Sequence, residues 1–359
     1  MDLLASWNVT PQTVVGHSSG EIAAAYCAGQ ISRQAAWKVA FCRGQVCARR
    51  TDGQGRMLAA AMPVTQLEQL VARVNKGQST AVKVGCHNSP KNLTLTGRAE
   101  DILRAKLELD DVGALNRLLP VKVAYHSDYM RDAAPEYLDL LGDLDFGDSI
   151  HADAGIKMIS SVTGRAVSAG EAQQPSYWVD NLVSPVRFST ALLASMDDPS
   201  ATGAREDALI EIGPHSTLRT AIKETFADVR EFQSIQYGSL LKRYETDGST
   251  ILRTFGMLVC SGHKISLAAI NDRRVGAKKT PRLLTGLPSY AFDHSRSMRG
   301  TSRRIEQAKF PAYKRHELLG VPVEDTNPVE QRWRNILRPD DLPWLRMNRV
   351  RFPCVCLWI

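Results

Sequence analysis

The chain has 359 residues, 43% of them hydrophobic and 23% charged, which is long enough to bury a sizeable core and ordinary in composition for a globular protein. Its net charge of +7 is uneven: from Asn271 onward there are 18 Lys+Arg against 9 Asp+Glu, leaving residues 1–270 close to neutral. The basic stretch carries no zinc-finger spacing or aromatic RNA-binding motif, which argues against nucleic-acid binding and for a basic unfolded tail. Seven cysteines show no Cys-x-x-Cys pair and no metal-ligand spacing; with no signal peptide or transmembrane run, a cytoplasmic, membrane-free protein with reduced thiols and no bound metal is expected.

Asp2–Trp7 reads as a helix. Thr13–Val15 is a short β-branched strand that runs into Gly16-His17-Ser18-Ser19-Gly20 and then into a run of helix formers from Glu21 to Ala28, ended by Gly29. A Gly-x-Ser-x-Gly turn between strand and helix is the arrangement of a nucleophile elbow, in which a strained serine projects from the sheet end. Gly16 and Gly20 allow strand and helix to approach closely, and the helix N-terminus offers free N–H groups beside Ser18. A plain helix cap by Ser18 or Ser19 is the bland alternative; it explains a serine but not the flanking glycines.

A serine hydroxyl needs a base. Leu118–Tyr125 reads as a strand, and His126 stands at its end, where catalytic residues often sit; a satisfied structural histidine is the other reading. His17 is too near Ser18 in sequence to act as its base and is read as lining the pocket, and His215, in a Gly-Pro-His turn, could border the same site. Arg43 follows an apolar helical stretch and by itself reads as a solvated helix arginine. Between these, Met57 starts a strand, followed by a helix at 66–75, strands at 81–86 and 93–96, and a helix at 99–109, an α+β pattern.

Several separated motifs agree in order with one family: Gly16-His17-Ser18-Ser19-Gly20-Glu21, Arg43-Gly44, Asn88-Ser89-Pro90, Ala124-Tyr125-His126-Ser127, Ser161-Val162-Thr163-Gly164, Tyr177-Trp178, Asn181 to Phe188, and Glu211-Ile212-Gly213-Pro214-His215. From about Asp2 to Asp228 the chain resembles the acyltransferase domain of polyketide synthases, related to malonyl-CoA:acyl carrier protein transacylases. Its continuation resembles the region C-terminal to that domain in a fungal highly reducing synthase. The resemblance implies an α/β fold: a hydrolase-like large subdomain with a parallel sheet (residues 1–56 and 121–228), interrupted by a ferredoxin-like small subdomain (57–120). Residues 229–295 then form a linker, and 296–359 a truncated start of a dehydratase domain of hotdog type.

The resemblance also implies roles. Ser18 takes the acyl group, His126 activates it without a carboxylate partner, and Arg43 grips the free carboxylate of malonyl. Ser19 supplies an oxyanion donor, while His17 and Tyr125 contact substrate and Asn88, Asn181 and His215 line the site. Malonyl-CoA is the substrate, no cofactor is bound, and the acceptor is the phosphopantetheine thiol of an acyl carrier protein; ketosynthase and dehydratase domains are further partners. The second oxyanion donor belongs to a Gly-Gln-Gly segment on an opening strand that this chain lacks, and Gly53-Gln54-Gly55 stands at the wrong place to replace it, so little activity is expected of the chain alone. Asn348, after Met347, replaces the dehydratase base, so no dehydratase activity is expected. A serine α/β-hydrolase or a catalytically dead remnant are the rival readings.

Overall fold

The structure is a computed structural model that describes residues 1–50, 53–78, 81–144, 151, 154–196, 208–229, 235–271, 284–295, 300–323, 329–338 and 340–344. The chain divides into two units, Met1–Pro281 and Arg282–Ile359. In the first, helix α1 (Asp2–Ser6) leads to strand β1 (Thr13–Val15), helix α2 (Gly20–Cys27) and helix α3 (Arg33–Ala48). Ser32 caps α3, its hydroxyl accepting from the Ala35 N–H at 3.1 Å, and so satisfies one of the orphan donors at the helix start.

A six-element insertion comes next: β2 (Gly55–Ala61), α4 (Val64–Asn75), β3 (Lys83–Ser89), β4 (Asn92–Arg98), α5 (Ala99–Asp111) and β5 (Asn116–Leu118). Its strands form one antiparallel sheet in the order β3-β4-β2-β5, the βαββαβ ferredoxin-like topology. The apolar faces of α4 and α5 (Leu67, Leu70, Ile102, Leu109) close over Leu58, Leu93 and Leu95 of the sheet. Each such side chain contributes roughly 1.5 to 3 kcal/mol by burial.

After the insertion a short 3₁₀ stretch (Asp128–Ala133) precedes α6 (Ala134–Leu141), β6 (Lys157–Ile159), α7 (Ala169–Ala172), α8 (Pro175–Val183) and α9 (Phe188–Met196). β6 lies parallel to β1, with Val14 opposite Met158. Trp178, Tyr137, Met130, Val39 and Val46 make a core in which α3, α6 and α8 meet. The insertion is tied to the segment between α8 and α9 through β3: Val186, in a second core with Cys86 and Phe188, donates to the Gly85 carbonyl at 2.8 Å and accepts from the His87 N–H at 2.7 Å.

Residues 236–260, expected in a linker, are built into the same unit. β7 (Ala208–Glu211) leads through α10 (Arg219–Phe226) to β8 (Gln236–Ser239), which pairs parallel with β7, and α11 (Asp247–Cys260) packs on β8. The Thr254 hydroxyl donates to the Ser239 carbonyl at 2.9 Å. A Cβ on Gly238 would fall 2.6 Å from the Thr254 methyl, so the glycine is what lets the helix sit this close. α12 (Leu267–Asn271) completes this stretch.

One expected element is corrected. Leu118–Tyr125 is not a strand: pairing ends with β5, whose Leu118 faces Leu58, and the Leu119 N–H still donates to Met57. Pro120 then has no N–H to continue the ladder, and the chain leaves the sheet as irregular turns.

In the second unit the described residues include helix α13 (Arg303–Lys309) and a two-residue antiparallel pair, Val321–Pro322 with Trp333–Arg334. The stretch read as an unfolded tail therefore holds local structure, fixed by Asn335, whose amide donates to the Glu317 and Leu318 carbonyls at 2.8 Å each. Asn348, Cys354 and Cys356 lie outside the described residues. Cys27, Cys42, Cys47 and Cys86 are free and buried, and Cys260 is free and exposed. Among the described residues no helix is long and apolar enough to cross a membrane.

Candidate active site

The turn between β1 and α2 holds Ser18 at φ +54, one of four non-glycine residues with positive φ among those described, a conformation that costs of order 1–3 kcal/mol and persists only where the surroundings enforce it. Gly16 is part of that enforcement. A Cβ there would lie 2.3 Å from the Glu21 N and Cα, so only glycine lets the strand end meet the first turn of α2. Gly20 is different: a Cβ there meets nothing within 4 Å, so close approach does not require it. The capping alternative also falls away, because Ser19 occupies the cap position without a side-chain bond. The Ser18 hydroxyl is turned elsewhere.

It meets His126. Ser18 Oγ lies 2.7 Å from His126 Nε2, and His126 Nδ1 lies 2.9 Å from the Ser184 carbonyl oxygen. A carbonyl only accepts, so Nδ1 carries the proton and Nε2 presents its lone pair to the serine. His126 does not stand at a strand end; it sits in a turn at φ +62, its N–H donating to the Leu182 carbonyl at 3.2 Å. The turn is pinned on both sides: Thr96 Oγ1 donates to the Tyr125 carbonyl at 2.8 Å, and a Cβ on Gly55 would lie 2.4 Å from the Ala124 N. With 2% of its surface exposed, His126 is pushed down to about 3 by burial first and the Arg43 charge second, against the opposing hydrogen bond to Ser184. The imidazole is thereby held neutral.

Arg43 is not a solvated helix residue. It is 7% exposed, on the inner face of α3. Its Nη1 donates to Asn181 Oδ1 at 2.8 Å, and its Nη2 lies 3.5 Å from Ser18 Oγ. Asn181, on α8, turns its amide nitrogen to the Ser18 carbonyl (3.1 Å) and to Glu21 Oε2 (2.9 Å). Glu21 has no exposed surface; its Oε2 also accepts from the Tyr177 hydroxyl at 2.7 Å, and its Oε1 accepts from the Ser161 N–H and, at 2.9 Å, from the Ser161 hydroxyl. Sequence reasoning places Glu21 in the elbow motif but assigns it no role. An acidic residue in a first helical turn reads as a surface dipole partner, and only the fold shows that it is buried.

The other expected residues divide. His17 is half-buried beside Phe188, at 5.4 Å between ring centroids, and its Nε2 lies 2.8 Å from Asn88 Oδ1; desolvation lowers its pKa. Asn88 in turn donates to Asn92 Oδ1 at 3.1 Å, so both link the elbow to the β3-β4 hairpin rather than to the Ser18 hydroxyl. Tyr125 stands beside His126, ring centroids 6.4 Å apart, and its hydroxyl is pushed up to about 12, by burial first. His215 is not brought to the pair: its Nδ1 accepts from the Arg243 N–H at 3.3 Å. The Ser19 N–H donates to no group among the described residues. Ser19 and Arg43 also line an open groove of about 720 Å³ with Ile22, Tyr26 and Trp37.

An elbow serine paired with a carbonyl-held histidine, on an α/β scaffold carrying a ferredoxin-like insertion, defines a class of serine acyl-handling proteins that work without an acidic third member. The family described as acyl transferase domain matches residues 1–265, and the chain belongs to it. It is 97% identical over 359 residues to the highly reducing polyketide synthase otaA of Aspergillus carbonarius (strain ITEM 5010), 99% of this chain and 14% of that protein. It is 81% identical, over 98% of its length and again 14% of the relative, to otaA of Aspergillus niger (strain ATCC MYA-4892 / CBS 513.88 / FGSC A1513). The chain thus spans about one seventh of the length of these relatives. Among solved structures, a loading acyltransferase of the avermectin modular polyketide synthase is 26% identical with TM-score 0.62, covering 72% of this chain and 75% of the other. The acyltransferase domain of the second salinomycin module shares the fold at 23% identity and TM-score 0.62, covering 74% and 58%. Residues 1–265 are therefore an acyl transferase domain, similar to those of polyketide synthases.

Proposed function

We propose that this domain takes malonyl from malonyl-CoA onto Ser18 and passes it to the phosphopantetheine thiol of an acyl carrier protein, supplying extender units to the other domains of a synthase. The observation that carries the reading is the convergence on Ser18 Oγ of His126 Nε2 at 2.7 Å and Arg43 Nη2 at 3.5 Å. A base and a carboxylate-binding guanidinium on the same hydroxyl suit a substrate whose acyl group ends in a carboxylate.

In this reading the malonyl carboxylate docks on Arg43 and the thioester carbonyl faces Ser18. His126 takes the hydroxyl proton as Oγ attacks; the oxyanion is met by the Ser19 N–H, a donor worth about 3 kcal/mol of barrier in comparable sites. The proton on His126 passes to the leaving thiolate of coenzyme A, and the carrier thiol repeats the sequence in reverse. The Ser184 carbonyl orients the imidazole as an aspartate does elsewhere. Arg43 also has an electrostatic part: its charge depresses His126, and a carboxylate placed on the guanidinium cancels that repulsion, so the base strengthens when a carboxyacyl substrate arrives. Family match and core support an acyltransferase unit that runs through α11, with 57–120 as its small subdomain.

Incubation with malonyl-CoA followed by intact-mass measurement tests this. A malonyl adduct is expected, forming slowly in keeping with the weak activity expected of the chain alone, absent in Ser18→Ala and strongly reduced in Arg43→Ala. Adduct that moves to an added phosphopantetheine thiol marks a transferase; adduct lost to water at the same rate with or without thiol marks a hydrolase and overturns the reading.

A further inference from the structure

Arg43 can bind a carboxylate at a set distance from Ser18 only if its guanidinium is held, and the groups that hold it are all buried. Asn181 is 1% exposed and Glu21 0%. Four donors converge on the two Glu21 oxygens: Asn181 Nδ2, the Tyr177 hydroxyl, and the N–H and hydroxyl of Ser161. Leaving Asn181 aside, the Tyr177 hydroxyl and the N–H and hydroxyl of Ser161 all donate to Glu21, so towards Asn181 it acts as an acceptor. That settles which way the Asn181 amide faces. Its nitrogen must turn to Glu21 and to the Ser18 carbonyl, leaving Oδ1 as the one acceptor for Arg43 Nη1, at 2.8 Å.

We infer that Glu21, acting through Asn181, is the positioning residue for Arg43, and so sets the preference for carboxyacyl over plain acyl groups. The inference rests on the carboxylate-clamp reading of Arg43 above. An amide has two ends that differ only in hydrogen-bonding sense, and Arg43 offers donors alone, so the amide orients the guanidinium only while something fixes its own direction. Two acceptors fix it, the Ser18 carbonyl and Glu21, and of the two Glu21 is the side chain that can be altered. The chain of contacts starts on α2, crosses to α8 and ends on α3, three elements whose packing is set by the core around Trp178 and Tyr137.

Glu21→Gln is nearly isosteric and reverses one contact. The Ser161 N–H cannot turn, so the new amide keeps its oxygen there and presents its nitrogen to Asn181. Asn181 then either turns its oxygen to Gln, which sets its nitrogen against Arg43 and breaks its bond to the Ser18 carbonyl, or stays and is pushed away by donor against donor at Gln; either way Arg43 loses a fixed partner. Three reactions on the whole chain read the result: acylation by malonyl-CoA, acylation by acetyl-CoA, and labelling of Ser18 by phenylmethylsulfonyl fluoride, which needs no carboxylate. The expected result is a loss of about tenfold or more in malonyl acylation, the scale of a hydrogen bond to a charged group, with acetyl acylation and sulfonyl labelling little changed. An equal fall in all three, or no change in any, overturns the inference. If Glu21→Gln gives no cooperative unfolding transition, Glu21→Asp, which keeps the charge but draws the carboxylate back from Asn181, is read in the same way: the same split supports the inference, and an equal fall or no change overturns it.

Arg43→Ala run alongside separates the two levels. If it keeps the malonyl preference, the clamp reading fails; if it loses the preference while Glu21→Gln keeps it, only the positioning role fails. A crystal structure of Glu21→Gln reads positioning without any substrate: a displaced guanidinium supports the inference, and an Arg43 still bonded to Asn181 Oδ1 overturns it.

Discussion

Ser18 and His126 are both held at positive φ, 54° and 62°, yet the two turns are built in opposite ways. The Ser18 turn is made by its neighbours: a β-branched strand before it, an alanine-rich helix after it, and Gly16 where strand and helix touch. The His126 turn owes little to residues 119–127 themselves. It is placed by groups distant in sequence, the Thr96 hydroxyl on the Tyr125 carbonyl, Gly55 under Ala124, and the Leu182 and Ser184 carbonyls on the two faces of the histidine. One half of the proposed catalytic pair is local and the other is tertiary, so the insertion holds the proposed base in place.

The sharpest way to break the local half is Gly16→Ala. The added Cβ meets Glu21 backbone at 2.3 Å, and a helix N-terminus has no flexible end to move aside. A cost at or above the upper end of overpacking, about 3 kcal/mol, is expected, with loss of malonyl adduct at Ser18. Chemical denaturation and intact-mass labelling check both. A variant that melts normally and still labels would show that the elbow is not set by this contact.

The tertiary half is tested by acid. An unfolded histidine takes up its proton near 6.5, whereas folded His126 resists until about 3. Between those values the unfolded state binds more protons, so stability is full above pH 6.5 and falls as pH drops towards 3. At 1.36 kcal/mol per unit, His126 should account for about 2–3 kcal/mol of the loss between pH ~6.5 and ~4. His126→Gln should lose less stability over that interval than the unaltered chain, the remaining histidine part coming from His17 and His87, which burial lowers as well. The same neutrality predicts that acylation of Ser18 keeps its rate below pH 6.5 instead of declining there as it would with an ordinary histidine base. Parallel denaturation series at the two pH values, and an acylation profile, decide it.

How much of this is legible in the sequence divides along the same line. Thr13–Val15, the glycine-flanked serine and the helix formers after it announce the elbow, since each signal lies within a few residues of the next. The first five elements of the small subdomain are also written in local periodicity and differ from the expected ones mainly at their ends, whereas its last strand, β5, has no such signal and the ferredoxin-like order is marked by resemblance. His126 is legible as a residue but not as a turn, because the alternation of Leu118–Tyr125 points to a strand and outweighs Pro120. Arg43 is marked by resemblance alone; nothing in the helix around it says that this arginine is buried. Glu21 and the Ser184 carbonyl have no sequence signal of their own, because burial and backbone acceptors appear only once α2, α3 and α8 are packed. Gly20, which the motif presents as a steric necessity, faces open space.

A smaller effect separates the two halves more finely. Gly55→Ala places a Cβ 2.4 Å from the Ala124 N and 2.9 Å from the Val123 carbonyl carbon, but here the obstructed backbone belongs to an irregular turn that can give. About 2 kcal/mol of stability should be lost, less than for Gly16→Ala, while Ser18 labelling falls as far as in that variant because the displaced turn carries His126 away from Oγ. Stability and labelling should therefore part company in Gly55→Ala and move together in Gly16→Ala.

Thr96→Val gives the mildest test. It keeps the shape of a fully buried residue in β4 and removes only the donor to the Tyr125 carbonyl, 2.8 Å away. Losing one neutral hydrogen bond and leaving a carbonyl unsatisfied should cost about 1 kcal/mol. If the His126 turn depends on the small subdomain as a whole, that loss should appear as a modest drop in labelling rate with the malonyl-to-acetyl preference unchanged, because Arg43 is held from α8 and not from the insertion. A changed preference would mean that the insertion reaches Arg43 as well, and that base and clamp are not separately supported.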